Sequence, residues 1–77
     1  MIATGDTVYL STRGGDQNIP CTVKLASENG RSLLLLFEAV VGFPQGAYVG
    51  SMPVLQLDDG RWVEIIGSHE VVIREAQ

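Results

Sequence analysis

Two turn sequences, Glu28-Asn29-Gly30 and Asp58-Asp59-Gly60, each separate two apolar runs of the 77-residue chain. Asn-Gly and Asp-Gly are strong short-range signals of a β-hairpin, because these residues tolerate the positive φ of a tight turn. The other apolar runs are also short and are bounded by Gly, Pro, Asn or Asp, as is typical of all-β sandwiches and barrels. We therefore predict one all-β domain, residues 1–77, folded as a small six-stranded antiparallel barrel with hairpins at Asn29-Gly30 and Asp59-Gly60.

The strands of this barrel follow from the alternation of apolar and polar side chains. The predicted strands are residues 7–11, 19–27, 31–40, 48–57, 61–66 and 70–74. The third run is rich in Leu, Glu and Ala, so a short helix is the alternative there, but the hairpin turn before it favours a strand. Within the fourth run, Gly50 and Pro53 predict a bulge or an edge position.

The register of each hairpin depends on the length of its loop, since a slip of one residue exchanges the two faces of a strand. We expect a three-residue loop in each, with the glycine in the left-handed conformation. The expected pairs of the first hairpin, all facing the core, are Leu25 with Leu33, Val23 with Leu35 and Cys21 with Phe37. The second hairpin then pairs Leu55 with Val63 and turns Gln56, Trp62 and Glu64 outward. A two-residue loop would instead place Leu55 opposite the charged Glu64, which disfavours it.

The third strand is apolar on both faces, and this predicts an interaction surface. Leu34 and Leu36 remain outside the predicted core, joined by Trp62 and Val72. A strand with two apolar faces needs a second cover, because wet apolar patches promote aggregation. We expect that cover to be a second copy of the chain or another protein; the alternative is that residues 39–46 fold over the patch as a loop.

Charge and composition argue against several partners. The net charge of −4 and the sequence pI of about 4.6 disfavour binding to nucleic acid or to an anionic membrane, since both need a basic face. Residues 39–57 carry no charge, but glycines and prolines interrupt them, so no membrane-spanning helix is predicted. The first residues lack the basic and apolar regions of a secretory signal, so we expect a cytoplasmic location.

Residue types that perform chemistry are few in this chain. His69 is the single histidine and lies at a predicted corner, Cys21 is the single cysteine and lies on an apolar face, and Asp58-Asp59 belong to a turn. No phosphate-binding loop, dinucleotide fingerprint, nucleophile elbow or zinc-binding helix motif occurs. We therefore predict no enzyme activity, no metal and no cofactor; a catalytic site shared between subunits is the remaining enzymatic alternative.

Residues 21–74 show a resemblance to a known family in three short motifs. These are Val23-Lys24-Leu25-Ala26-Ser27-Glu28-Asn29-Gly30, the pair Pro44 and Gly46 after an apolar strand, and Asp59-Gly60-Arg61-Trp62-Val63-Glu64-Ile65. The chain thereby resembles PilZ-type barrels, a bacterial family that binds cyclic di-GMP and passes the signal to a partner. Its opening, Gly5-Asp6-Thr7-Val8-Tyr9-Leu10, is also similar to SH3-like barrels.

The resemblance implies a ligand site that this chain matches only in part. Ser27 and Gly30 match the family's Asp/Asn-x-Ser-x-x-Gly turn, but Leu25 stands where the ligand-contacting Asp or Asn belongs. The family's paired arginines are reduced to Arg13, because Gln17 occupies the second place. The main hypothesis is therefore a non-enzymatic interaction module that self-associates or docks a protein; the alternative is a degenerate sensor that binds a small anionic ligand near Arg13, Ser27 and Gly30.

Overall fold

In a computed structural model, which describes residues 1–12 and 18–76, the chain forms a closed barrel of six antiparallel strands in sequential order. The strands are β1 (Thr7–Thr12), β2 (Ile19–Ala26), β3 (Ser32–Phe43), β4 (Gly46–Gln56), β5 (Trp62–Glu64) and β6 (Glu70–Glu75). Pairing of β6 with β1 closes the barrel. The predicted fold class is confirmed, and the helix considered for the third run is wrong because those residues form β3.

Candidate membrane-spanning helices are absent from the described part of the chain.

Both predicted hairpin turns are present, with glycine in the left-handed conformation. Gly30 has φ +69° and Gly60 has φ +92°. The N–H of Gly30 donates to the carbonyl of Ser27 at 2.9 Å, and the N–H of Gly60 donates to the carbonyl of Leu57 at 2.9 Å. Any residue with a side chain is strained at such a φ. At Gly30 an added Cβ would also lie 2.6 Å from Cγ of Met1.

The first hairpin shows that one predicted core residue is wrong. Val23 pairs with Leu35 as predicted, but the register then shifts, and Leu25 pairs with Leu34 instead of Leu33. The extra residue in β2 is a β-bulge at Lys24, and it exchanges the faces of the residues that follow. Leu25 is therefore 60% exposed, and the small Ala26 takes the inner position against the core.

The second hairpin has the predicted pairing but the opposite faces. Leu55 pairs with Val63 as expected. However, Trp62 is only 8% exposed and Glu64 is fully buried, while Leu55 is 40% exposed. The prediction turned Glu64 outward because an unpaired charge is costly inside a protein. It failed because the folded barrel supplies this carboxylate with hydrogen-bond donors.

Inside the barrel, most of the other predicted inward residues are confirmed, but Val63, expected to face inward with Leu55, is half-buried on the other face of β5, and Ile73 is partly buried against the core. The buried core consists of Val8, Leu10, Ile19, Cys21, Val23, Leu33, Leu35, Phe37, Val41, Met52, Val54, Trp62 and Val71.

β3 and β4 form a long hairpin that bends at a bulge. Leu36 pairs with Ser51, but the next pair is Val40 with Val49, so β3 has two extra residues there. Gly50 sits at this irregularity with φ +87°, which confirms the bulge expected there. Residues 39–46 are thus mostly strand, with a turn at Pro44 and Gln45. The alternative that they form a loop over the outer apolar residues is wrong, because this hairpin tip packs on the corner between β5 and β6.

Candidate functional site

The outer side of β2, β3 and β4, with the start of the β5–β6 corner, carries a continuous apolar surface that we call the sheet face. Leu25 pairs with Leu34, and Leu34 pairs with Pro53. The N–H of Ile65 donates to the carbonyl of Pro53 at 3.0 Å, which brings the corner alongside β4. The sheet face consists of Leu25, Leu34, Leu36, Pro53, Leu55 and Ile65.

These residues enclose a shallow depression that is open to solvent. Leu25, Leu34, Pro53 and Ile65 line it, and its volume is about 420 Å³. Around the depression, Leu36 is 38% exposed, Ile65 is 48% exposed, and Leu25 is the most exposed, at 60%. Contiguous exposed apolar surface of this kind marks interaction sites in soluble proteins.

The four predicted interface residues divide into two groups. Leu34 and Leu36 lie on the sheet face, where the sequence placed them. Trp62 belongs to the buried core, so its assignment to the surface is wrong. Val72 is half-buried and pairs with Ser11 of β1, away from β3. In the closed barrel two strands separate β6 from β3 on either side, so Val72 does not extend the sheet face.

Charged groups lie at the hairpin-turn end of the barrel and bind one another. Arg31 pairs with Asp58 at 2.8 Å, and Arg61 pairs with Asp59 at 2.7 Å and with Glu70 at 3.3 Å. The Arg61 backbone N–H and guanidinium lower the pKa of Asp59 below its usual value. Exposed pairs of this kind stabilise little, but they leave these charges matched beside the sheet face.

A second feature is the buried carboxylate of Glu64, which is held by hydrogen bonds on both oxygens. The backbone N–H of His69 donates to Oε1 at 3.0 Å, and the Tyr48 hydroxyl donates to Oε2. Burial by itself raises the pKa of Glu64, but the bonds from His69, Tyr48 and the Gly67 N–H outweigh it and hold that pKa below its ordinary value. Glu64 is therefore ionised at neutral pH.

The same contacts fix the tip of the β3–β4 hairpin. The ring of Phe43 stacks on His69, with centroids 4.5 Å apart, and meets Tyr48 edge to face at 6.0 Å. Gln45 Oε1 lies 3.1 Å from Nε2 of His69. Burial and the neighbouring Glu64 raise the pKa of Tyr48 to about 12, so its hydroxyl stays protonated and donates. We call Phe43, Gln45, Tyr48, Glu64 and His69 the Glu64 cluster.

The backbone at this corner has an uncommon conformation and leaves little space for side chains. Ser68 has φ +59°, which is uncommon for a residue with a side chain. A Cβ added at Gly67 would lie 2.7 Å from Glu64 Oε1 and 2.8 Å from Cδ2 of His69. The corner is thus shaped around the carboxylate, and the Glu64 cluster joins two segments that are distant in sequence.

Comparison with protein-family models, with curated proteins and with solved structures finds no match for this chain. The resemblance to PilZ-type and SH3-like barrels stays a prediction.

The residues of the predicted ligand site are used within a turn. The N–H of Ser32 donates to Oγ of Ser27 at 3.1 Å, and the same hydroxyl donates to Oδ1 of Asn29 at 2.7 Å. Gly30 completes this turn with its left-handed φ. Arg13 lies outside the described residues. The structure thus gives Ser27 and Gly30 a role in the hairpin.

The candidate catalytic groups are engaged in structural contacts. His69 is stacked on Phe43, and burial raises the pKa of the Cys21 thiol to about 11, which keeps it protonated. Asp58 and Asp59 bind different arginines. Within residues 1–12 and 18–76, no group of three or more His, Cys, Asp or Glu side chains is placed to hold a metal ion.

The sequence did not predict the exposure of Leu25, Leu55 and Ile65 or the burial of Glu64. The sequence pattern offered a signal for Leu55 only. If Glu64 is placed inside the barrel, alternation along the two paired strands turns Leu55 outward. No local pattern marks the bulge that exposes Leu25.

Proposed function

We propose that this chain is a non-enzymatic interaction module that self-associates or docks a protein partner through the sheet face. The observation that supports it is the continuous apolar surface around the depression, on a barrel that already has a complete core. Within residues 1–12 and 18–76, no further strand or helix is left to cover these residues, and the hairpin tip is engaged by the Glu64 cluster.

The energy available at this surface is substantial for a small domain. The exposed fractions of Leu25, Leu36, Leu55 and Ile65 are 60, 38, 40 and 48%, which amounts to about two whole side chains. Complete burial of a Leu or Ile side chain is worth roughly 1.5 to 3 kcal/mol, so these four residues would contribute about 3 to 6 kcal/mol. Typical stabilities of whole domains are about 5 to 15 kcal/mol.

The scaffold also suits docking, because it presents this surface without needing to fold on binding. Every strand is paired on both sides around the closed barrel. A preorganised surface loses less conformational entropy on association than a mobile one. A cytoplasmic location is part of this proposal, and the unpaired thiol of Cys21 accords with a reducing compartment.

Site-specific photo-cross-linking tests this proposal. A benzophenone amino acid replaces Leu36 in the sheet face, and as a matched control it replaces Glu28 at the exposed turn of the same hairpin. We expect a defined cross-linked protein species from position 36 and none from position 28. Equal labelling at both positions, or no protein adduct from position 36, would contradict the proposal.

The alternative sensor function is tested by calorimetric titration with cyclic di-GMP. Since Ser27 and Gly30 serve the hairpin turn, we expect no heat of binding at high micromolar nucleotide. Heat that disappears in the Arg13→Ala variant would favour the sensor over the interaction module.

A further inference from the structure

We infer that the occupant of the sheet face is a second copy of this chain, in a two-fold symmetric contact centred on the depression lined by Leu25, Leu34, Pro53 and Ile65. This inference rests on the proposed function and names its partner.

The shape of the sheet face suits a two-fold contact. In a two-fold contact the same patch lies on both partners, so it must hold both a projecting group and a recess. Leu25 projects from β2 with 60% of its surface exposed. It stands at the border of the depression of about 420 Å³. Leu25 of each copy can therefore enter the depression of the other, and both contacts form at once.

The charge of the sheet face also suits a second copy. The outward positions of β3 and β4 across the sheet face are neutral: Ser32, Leu34, Leu36, Ser51, Pro53 and Leu55. Nearby Arg31 and Arg61 are bound by acidic side chains of the same chain. Lys24, beside Leu25, is exposed and has no ion pair among the described residues. A copy that itself carries a net charge of −4 is compatible with this cation and with the neutral positions of β3 and β4.

The charge of the chain predicts how salt changes the strength of self-association. Two chains of net charge −4 repel each other at long range, and salt screens that repulsion. Salt also strengthens the burial of apolar groups when it is excluded from protein surfaces. Self-association should therefore become tighter as salt rises, whereas a basic partner attracted to the acidic chain would bind more weakly.

The area of the surface suits the centre of a dimer contact. Four strands at about 4.8 Å spacing are about 19 Å wide, and the six steps of β4 from Val49 to Leu55 at about 3.3 Å add about 20 Å of length. Val40 pairs with Val49, and their exposed side chains extend the apolar surface along the hairpin. The resulting surface of about 380 Å² lies within the range of the largest apolar patches on single chains, which are often functional. A standard interface takes about 800 Å² from each partner. This surface therefore supplies about half of each partner's share of a dimer interface.

Two adjacent isoleucines provide the test. Ile65 lines the depression, while Ile66 is more exposed, at 78%, and lines the separate cavity at the hairpin tip. Sedimentation equilibrium and light scattering over a concentration series measure the mass of the full chain and of the Ile65→Glu, Ile66→Glu and Leu25→Glu variants. Circular dichroism confirms that each variant is folded, and Leu25→Glu replaces Ile65→Glu if the latter fails to fold.

We expect the wild-type mass to approach twice 8.3 kDa, with a dissociation constant that falls as salt rises. Ile65→Glu and Leu25→Glu should raise that constant about tenfold or more, because each buries a charge in the contact, while Ile66→Glu should change it by less than about twofold. A wild-type monomer at millimolar concentration, or equal weakening by Ile65→Glu and Ile66→Glu, would overturn the inference. If the chain is monomeric but position 36 still cross-links to another protein, the proposed function stands and only the second copy is wrong. If neither occurs, both fail.

Discussion

Replacement of Tyr48 by Phe tests whether the Glu64 cluster holds the hairpin tip through a charged hydrogen bond. The change removes one hydroxyl and leaves the ring that meets Phe43 edge to face. Glu64 stays buried and keeps the His69 N–H as a donor, but it loses the donor on Oε2. A hydrogen bond to a charged group contributes about 1.5 to 3 kcal/mol, so we expect the free energy of unfolding to fall by about 2 kcal/mol.

Urea unfolding at neutral pH measures this loss. The single tryptophan, Trp62, is buried next to Glu64 in β5, so its fluorescence reports on the same region. In a thermal scan, a loss of about 2 kcal/mol corresponds to a fall in Tm of about 8 to 16 °C for a domain of this size. Tyr9→Phe is the matched control, since the described residues give the Tyr9 hydroxyl no hydrogen-bond partner. Equal destabilisation by the two variants would refute the reasoning.

The pH dependence gives a second check on the same bond. The pKa of Glu64 is lower in the folded chain than its ordinary value, so its ionised form stabilises the fold at pH values above about 4.3. That contribution is lost as the pH falls through the folded pKa. The difference between wild type and Tyr48→Phe should therefore be constant from pH 7 to about 5 and should narrow below about pH 4. A difference that persists unchanged in acid would show that the Tyr48 hydroxyl does not act on a carboxylate.

Two further predictions concern the faces of β3 and the β5–β6 corner. Leu35→Glu should abolish the β-type circular dichroism, because Leu35 is fully buried, whereas Leu36→Glu should retain it and weaken association; if Leu35→Glu is the tolerated change, the register is wrong. Gly67→Ala should lower the free energy of unfolding by about 1 to 3 kcal/mol in urea, because its Cβ would lie 2.7 Å from Glu64 Oε1. Gly42→Ala is its control, since a Cβ there meets nothing within 4 Å, and a loss as large as that of Gly67→Ala would contradict the steric argument.

Local sequence was sufficient to predict the strands and turns of this barrel. A glycine is needed where φ is positive, and Gly30 and Gly60 occupy such positions. Because both turns have the expected glycine, two cross-strand pairs in these hairpins were predicted correctly: Val23 with Leu35 and Leu55 with Val63. These features depend on residues close together in the chain, which is why a single sequence reveals them.

The faces of two strands depended on distant contacts, and the sequence did not reveal them. Glu64 is accepted inside because Tyr48, 16 residues away, and the backbone of His69 supply donors. The bulge at Lys24 lies in β2, which pairs with both β1 and β3, and neither pairing is visible in the local sequence. Alternation predicts which residues share a face only up to the first bulge.

Both errors displaced a leucine from the predicted core to the same outer surface. The bulge at Lys24 turned Leu25 outward, and burial of Glu64 and Trp62 turned Leu55 outward. The sheet face is consequently larger than the Leu34 and Leu36 patch expected from the sequence, although it no longer includes Trp62. Turning β5 over would bury Leu55 and expose the Glu64 carboxylate, but it would also expose Trp62, which is buried on the same face as Glu64. The observed arrangement needs the donors that satisfy Glu64, and it leaves about two side chains of apolar surface uncovered. Covering that surface by association is the physical reason to expect an interaction module.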